Sequence, residues 1–142
     1  MTPRQASHTE AWIVDASVAA KWFLPVAREP EGGLARDAIG RLAMRTTTLA
    51  VYEVGNVLKA YSGWEGDRVG AALNLLLELC GDPLDLLPED FQVAAGLALE
   101  HDLSFYDASY VAIANRMGRR VLSADSDLLD PGLAANLETA LR

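Results

Sequence analysis

The stretch Trp12-Ile13-Val14-Asp15-Ala16-Ser17 decides the fold of this chain. Three apolar residues, two of them β-branched, run without polar interruption into an aspartate. A short apolar run of this kind predicts a strand that is buried on both faces, as in a parallel sheet. Asp15 would then lie at the carboxyl edge of an open sheet, where the ligand sites of α/β proteins gather. The stretch therefore predicts both the sheet and the edge at which a functional site would lie.

The length and composition indicate one globular domain. The chain has 142 residues, of which 51% are hydrophobic, which suits one core of ordinary size. No apolar run is long enough to span a bilayer, and the polar start has no apolar segment typical of a secretory signal. Cys80 is the single cysteine, which excludes an internal disulfide and a cysteine-based zinc site. We expect a cytoplasmic protein, with residues 1–10 as a polar leader and residues 11–142 as one domain.

Helical segments alternate with short apolar runs along the rest of the chain. Leu84–Leu87 and Arg120–Ser123 are predicted to be two further strands, and Arg45–Thr48 is a brief β-prone segment. The predicted helices are Val18–Leu24, Leu34–Leu42, Ala50–Tyr61, Asp67–Leu79, Pro88–Glu100 and a helix that follows Ser104 and ends at Gly118. This alternation predicts the α/β class with a central, mainly parallel sheet. The tail from Pro131 has no clear pattern.

Four acids stand out because their surroundings are apolar or structured. Two follow predicted strands and two lie on predicted helices: Asp15, Asp125, Glu53 and Asp107. Each has an ordinary structural explanation, since an aspartate after a strand often caps a helix and an acid near a helix start is stabilised by the helix dipole. An isolated glutamate on a helix usually faces solvent. The joint placement of the four nevertheless favours one shared site at the sheet edge.

These segments together resemble the PIN domain, and more narrowly the VapC-type toxin ribonucleases of toxin–antitoxin pairs. The matching pieces are Ile13-Val14-Asp15-Ala-Ser17, Val51-Tyr-Glu53-Val-Gly-Asn56-Val-Leu, Leu103-Ser-Phe-Tyr-Asp107-Ala-Ser-Tyr-Val-Ala and Val121-Leu-Ser123-Ala-Asp125-Ser-Asp127-Leu-Leu. No single motif is specific, whereas four in this order form a fairly specific pattern over most of the chain. The resemblance implies an α/β/α sandwich.

The resemblance also implies a metal-dependent endoribonuclease. Its catalytic quartet would be Asp15, Glu53, Asp107 and Asp125. Asp15 and Asp107 would bind Mg²⁺ or Mn²⁺ directly, and the other two acids would act through water or hold a second ion. Ser17 and Ser123 would line the site, and Asp127 would share the role of Asp125. The residue types suit this chemistry, because hard cations take carboxylate oxygens and converging carboxylates repel one another unless cations or protons neutralise them.

Basic residues are few on a chain of formal net charge −8, so contact with a polyanion requires local basic patches or bound cations. Arg116, Arg119 and Arg120 cluster just before the third predicted strand. They have a structural explanation as favourable charges at a helix C-terminus, and a functional one as contacts to the RNA backbone beside the cleft. Lys21 is predicted to be a surface lysine whose stem packs on the protein.

The partners implied by the resemblance are an RNA substrate, a cognate antitoxin protein and a second copy of the chain. The apolar faces of Leu34–Leu42 and Leu73–Leu79 exceed what one sheet layer needs, which favours a homodimer. An acidic cleft would attract an arginine or lysine of the antitoxin. Apolar surface around Leu24 and Val54 would accept an amphipathic helix in a groove.

Four other functions stay open. A haloacid-dehalogenase-like phosphatase would have a second aspartate two residues after Asp15, where this chain has Ser17. A receiver domain would have paired acids before its phospho-accepting aspartate, and none are apparent. A PIN-type nuclease that processes RNA without being a toxin, and a non-catalytic dimeric binding module with the same fold, are not separated from the toxin by these residues.

Overall fold

The computed structural model describes residues 11–61 and 63–142, so the predicted leader, residues 1–10, lies outside the described residues. Within them the sheet has four strands: β1 (Trp12–Val14), β2 (Met44–Arg45), β3 (Val121–Leu122) and β4 (Ala134–Ala135). Their order across the sheet is β2-β1-β3-β4, and every neighbouring pair is parallel. The carboxyl ends of all four strands therefore lie along one edge.

Helices connect these strands. Those in the described part of the chain are α1 (Ala16–Ala19), α2 (Gly32–Ala38), α3 (Thr48–Lys59), α4 (Gly66–Cys80), α5 (Pro88–His101), α6 (Phe105–Met117), α7 (Ser126–Leu129) and α8 (Leu137–Ala140). Two 3₁₀ helices, Ala20–Trp22 and Val26–Arg28, lie between α1 and α2. None of the helices just named combines the length and the apolar character that crossing a bilayer requires.

Successive strand residues point to opposite faces of the sheet and create two cores. Val14 and Leu122 pack with residues of α3 and α4 on one face. Ile13 and Val121 pack with residues of α6 on the other face, and α5 covers α6. This alternation is what the side-chain geometry of a strand requires when both faces are buried. The predicted α/β/α sandwich with a parallel sheet is confirmed.

Two predicted segments are wrong in detail. Leu84–Leu87 is not a strand, because Leu84 alone forms a β-bridge, with Thr47. Thr47 is the N-cap of α3, so the chain beyond it is helical and cannot continue the pairing. The helix predicted over Leu34–Leu42 ends at Ala38. Gly40 has φ of 85°, a left-handed conformation that breaks a helix and suits glycine.

The apolar faces that were predicted to form a dimer interface are mostly internal. Leu34, Leu42, Leu73 and Leu79 are partly buried against the core that surrounds Val14. Leu75 is the more exposed leucine of α4, with 44% of its surface accessible. The prediction overestimated the free apolar surface because α2 and α4 both help to cover the same face of the sheet.

Candidate active site

Asp15 is the most buried of the four predicted acids, with 3% of its surface exposed. Its carboxylate accepts hydrogen bonds from Ser17 Oγ at 2.6 Å, Ser123 Oγ at 2.5 Å and the Val18 amide at 3.2 Å. Burial raises the pKa of Asp15 to about 6, although these hydrogen bonds act in the opposite direction. Asp15 is also the N-cap of α1.

Ser17 and Ser123 connect the ends of β1 and β3 around this carboxylate. The Ala124 amide donates to Ser17 Oγ at 2.9 Å, and the Asp125 amide donates to Ser123 Oγ at 3.0 Å. Each hydroxyl therefore donates one hydrogen bond and accepts another within the protein. They hold the Asp15 side chain in one orientation and fix the start of the loop that carries Asp125.

Glu53 on α3 receives a hydrogen bond from a residue that the sequence analysis did not assign. Tyr110 Oη on α6 donates to Glu53 Oε1 at 2.5 Å. Tyr110 is 1% exposed, and burial together with the adjacent Glu53 raises the pKa of its phenol, so the phenol keeps its proton. A usable signal existed, because Tyr110 lies one helical turn after Asp107 and thus on the same side of α6.

Asp107, Asp125 and Asp127 form a tight acidic cluster. One carboxylate oxygen of each lies within 4.8 Å of the others. Asp107 lies in the first turn of α6, and Asp125 caps α7 by accepting from the Asp127 amide at 2.9 Å. Burial raises the pKa of Asp107, and the negative charges of Asp125, Glu53 and Asp127 raise it further. Asp127 thus adjoins the predicted quartet.

A single open cleft of about 610 Å³ brings the four predicted acids together. Its other lining residues include Ser17, Lys21, Glu29, Asn56 and Tyr110. Asp15 and Asp125 enter it from the adjacent ends of β1 and β3, whereas Glu53 and Asp107 enter it from α3 and α6. The expectation that these side chains meet at the carboxyl edge of the sheet therefore agrees with the geometry.

The donor set of the cleft fits a divalent cation. All four converging side chains offer carboxylate oxygens, the ligand type that Mg²⁺ and Mn²⁺ take in proteins. The raised pKa values of Asp15 and Asp107 reflect burial and negative neighbours, and no cationic side chain of the described residues lowers either pKa. A bound cation would supply the missing positive charge and favour the ionised carboxylates.

The three arginines predicted as RNA contacts lie away from this cleft. Arg116 follows Asp107 by nine residues on α6, roughly 14 Å along the helix axis, and its guanidinium binds the buried Asp90 carboxylate at 3.0 Å. Arg120 lies over the Trp12 ring at 5.3 Å. None of the three arginines lines the cleft. Arg119 and Arg120 are close to Asp125 in the sequence, but they precede β3 and Asp125 follows it. The strand therefore separates them, with the arginines at one edge of the sheet and Asp125 at the other.

The structure contradicts the prediction that Lys21 is a surface lysine. Lys21 belongs to the 3₁₀ helix Ala20–Trp22, has 7% of its surface exposed and lines the acidic cleft. Its Nζ lies 3.6 Å from Glu29 Oε1. Glu29 directly follows the second 3₁₀ helix, so the ion pair joins the segment after Pro25 to the first 3₁₀ helix.

The fold and the cleft together define a class: a parallel α/β/α protein with an acidic site at the carboxyl edge of its sheet. Comparison with known proteins narrows this class. The family model described as PIN domain matches residues 12–132. The chain therefore belongs to the PIN domain family, as the sequence motifs predicted, and this removes the phosphatase and receiver alternatives.

Similar proteins carry the same fold. The chain is 33% identical over 122 residues to Ribonuclease VapC3 of Pyrobaculum aerophilum, covering 83% of this chain and 92% of that protein. The crystal structure of Mycobacterium tuberculosis VapC20, described as a Sarcin-Ricin loop cleaving toxin, superposes with a TM-score of 0.71 at 20% identity, over 87% of this chain and 97% of that one. A toxin–antitoxin complex from Klebsiella pneumoniae superposes with a TM-score of 0.70 at 14% identity, over 89% of this chain and 98% of that one.

Proposed function

We propose that the protein is a divalent-metal-dependent endoribonuclease and the toxin of a toxin–antitoxin pair. The observation that carries the proposal is the convergence of Asp15, Glu53, Asp107 and Asp125 in one cleft. Membership of the PIN domain family and the similarity to Ribonuclease VapC3 support RNA as the substrate. An RNA substrate and a toxin role would put the site of action in the cytoplasm.

The acids would share the work of holding Mg²⁺ or Mn²⁺ at the cleft. Asp107 and Asp125, with Asp127 beside them, offer oxygens close enough for a common cation, and Asp15 and Glu53 offer carboxylates that line the same cleft. When bound, the cation would acidify a water and neutralise charge on the phosphate. The division into direct and water-mediated ligands stays a prediction.

The protein's own side chains would orient this site and control its protons. Ser17 and Ser123 hold the Asp15 carboxylate by donating to its two oxygens. Tyr110 holds one oxygen of Glu53 and leaves the other available. Such supporting hydrogen bonds fix the direction of metal-binding carboxylates and commonly affect activity by roughly 10–100-fold. None of these groups needs to form a covalent intermediate with RNA.

The experiment is a cleavage assay on a labelled single-stranded RNA with purified protein. Cleavage should require Mg²⁺ or Mn²⁺ and stop with EDTA. Asp107→Asn should lower the rate by roughly 10–100-fold or more, because it removes a negative charge from the acidic cluster. Asp102→Asn is the matched control, since Asp102 is an exposed aspartate that ends α5 at φ of 54°, a conformation that asparagine tolerates.

The outcomes separate the remaining alternatives. If Asp107→Asn cuts RNA as fast as Asp102→Asn, the acidic cleft is not the active site. If neither the parent protein nor the variants cut RNA, and calorimetry detects no Mn²⁺ binding, the non-catalytic binding module is the better description. An active parent whose neighbouring genes encode no inhibitor would be a free-standing RNA-processing nuclease.

The antitoxin would bind at the same cleft. The cleft combines carboxylates with apolar wall residues, Leu24, Val57 and Tyr61, which suits an amphipathic helix that carries an arginine. Val54, which the sequence analysis chose for this wall, is fully buried, and Val57 one turn later takes its place. Val57→Asp should weaken the complex with the protein encoded by the adjacent gene, whereas Val93→Asp on α5 should not. A stable complex that leaves RNA cleavage undiminished would reject inhibition.

The homodimer remains part of the proposal. Tyr52, Phe105 and Tyr106 are 66%, 43% and 62% exposed and surround an apolar groove of about 280 Å³ where α3 and α6 begin. Exposed aromatic groups of this kind favour burial between subunits. Sedimentation at tens of micromolar should give a dimer that Tyr106→Asp weakens. Leu99→Asp, at a residue 87% exposed on α5, is the control. A parent that sediments as monomer would count against the dimer.

A further inference from the structure

Lys21 is a cation in an otherwise acidic cleft. Five of the residues that line the cleft are acids: Asp15, Glu29, Glu53, Asp107 and Asp125. Lys21 is the single lysine or arginine among the described residues that line it. A phosphodiester is an anion, so a cleft with this surplus of carboxylates repels its substrate except where a positive charge is available. Bound metal would neutralise part of the acidic quartet, and Lys21 is the positive charge that the chain itself supplies.

The ammonium of Lys21 has unused hydrogen-bonding capacity. A lysine offers three N–H donors and no acceptor. Within residues 11–61 and 63–142 its partner is Glu29 Oε1 at 3.6 Å, longer than the roughly 2.7–2.9 Å of a charge-assisted hydrogen bond. The side chain is nine-tenths buried, with 9% of it exposed, and yet it lines the cleft. A buried ammonium that keeps free donors toward a cleft is poised for an anionic ligand.

Glu29 limits where this ammonium can go. Glu29 is the C-cap of the 3₁₀ helix Val26–Arg28, and 19% of its side chain is exposed. A lysine stem has four rotatable carbons and loses much conformational freedom when it is fixed. The ion pair with Glu29 restricts the positions that this charge can take in the cleft.

We propose that Lys21 binds a phosphate of the RNA strand in the cleft and that Glu29 positions it. The inference rests on the proposed nuclease function and adds a residue that contacts substrate outside the acid quartet. The competing explanation is a structural ion pair that ties the segment after Pro25 to the 3₁₀ helix before it. The two explanations differ in what happens to RNA affinity and its salt dependence.

The test compares the chain's two lysines, Lys21 and Lys59. Lys59 is exposed at the end of α3 and does not line the cleft, so Lys59→Met is the matched control. Lys21→Met should raise KM for a single-stranded RNA about tenfold and leave Mn²⁺ binding, measured by calorimetry, unchanged. Lys21→Arg should restore most of the affinity, since a guanidinium also binds phosphate.

Salt dependence gives a second measurement that does not require cleavage. RNA binding is measured by anisotropy in the Asp107→Asn background at several salt concentrations. Adding Lys21→Met should reduce the slope of log affinity against log salt by about 0.7, the value for one phosphate contact on a single strand. Because loss of Lys21 leaves the mostly buried Glu29 carboxylate without its ion-pair partner, Lys21→Met with Glu29→Gln serves as the second variant if the single one folds poorly.

The results discriminate cleanly. Unchanged KM and slope in Lys21→Met and in the double variant Lys21→Met with Glu29→Gln, as in Lys59→Met, would overturn the phosphate contact and leave a structural ion pair. The proposed nuclease function would be intact in that case, because the parent would still cleave RNA and Asp107→Asn would not. Failure of the nuclease proposal has a different signature, namely a parent protein that binds no RNA and cuts none.

Discussion

The two ends of α6 carry charges of opposite sign, and the surroundings of these charges differ. At the first turn Asp107 faces Asp125 and Asp127 within 4.8 Å, and burial with these like charges raises its pKa. At the last turn Arg116 is held by the buried Asp90 carboxylate at 3.0 Å. Both charges agree with the helix dipole, so the dipole does not explain the contrast.

The contrast shows how a charge that stabilises the fold differs from one that is kept for a ligand. Arg116 and Asp90 neutralise each other, and Asp90 also caps α5 through the Leu87 amide at 2.8 Å. Among the described residues, the carboxylates of Asp107, Asp125 and Asp127 have no ion pair equivalent to that of Arg116, an arrangement that costs stability unless something binds there. Uncompensated charge of one sign in a cleft is a sign of function, whereas paired charge at a helix junction is a sign of structure.

The largest expected effect is on the structural end of α6. Arg116→Met should lower the free energy of unfolding by roughly 3–5 kcal/mol, because it leaves the buried Asp90 carboxylate without its cation. Chemical denaturation by urea measures this. Arg116→Met combined with Asp90→Asn should recover part of the loss, since asparagine can still accept from the Leu87 amide. A single variant as stable as the parent would remove the structural role assigned to Arg116.

The next largest effect is the pH dependence of the free energy of unfolding, through Asp15 in the acidic cleft. Asp15 has a folded pKa of about 6 against an ordinary value of 3.8, so the folded state binds its proton more tightly than the unfolded state. Stability from this group is present below about pH 4 and is lost as pH rises through 6, by roughly 3 kcal/mol. In EDTA, urea unfolding between pH 4.5 and 7 should show a smaller decline for Asp15→Asn than for the parent. Equal declines would contradict the burial of a titrating Asp15.

A smaller change is expected at Tyr110, which connects α6 to Glu53 on α3. Tyr110→Phe removes the hydrogen bond to Glu53 and should reduce RNA cleavage about tenfold, as for other supporting contacts of metal sites, with a stability loss of about 1 kcal/mol. Tyr106→Phe is the matched control, because Tyr106 lies on the same helix and is 62% exposed. Equal rates for both variants would show that Glu53 needs no orienting partner.

The smallest effect should come from Arg120, which stacks on Trp12. Arg120→Gln should cost about 0.5–1 kcal/mol of stability, the usual value of an exposed cation–π contact. RNA affinity should be unchanged, since Arg120 lies outside the cleft. A clear drop in affinity would instead revive the arginine cluster as an RNA contact and would weaken the distinction between the two ends of α6.

Local features of the sequence were sufficient for the elements that hold the acids. The apolar run before Asp15 predicted β1, because a buried parallel strand has no polar alternation. Ser104 and Gly118 predicted the ends of α6, and the structure has Ser104 as N-cap and Gly118 at φ of 65°. Such signals act within a few residues, so they can be read from the chain. The place of each acid relative to its own strand or helix followed from them.

The contacts between distant segments were decided by the tertiary structure alone. The Ser123–Asp15 and Tyr110–Glu53 hydrogen bonds join residues 108 and 57 positions apart, and no local pattern specifies such pairs. β4 consists of two alanines, whose pairing depends on the neighbouring strand and not on their own β preference. Lys21 is polar and close to a helix start, which predicts solvent exposure. Only the tertiary structure buries Lys21, pairs it with Glu29 and places it among the residues that line the cleft.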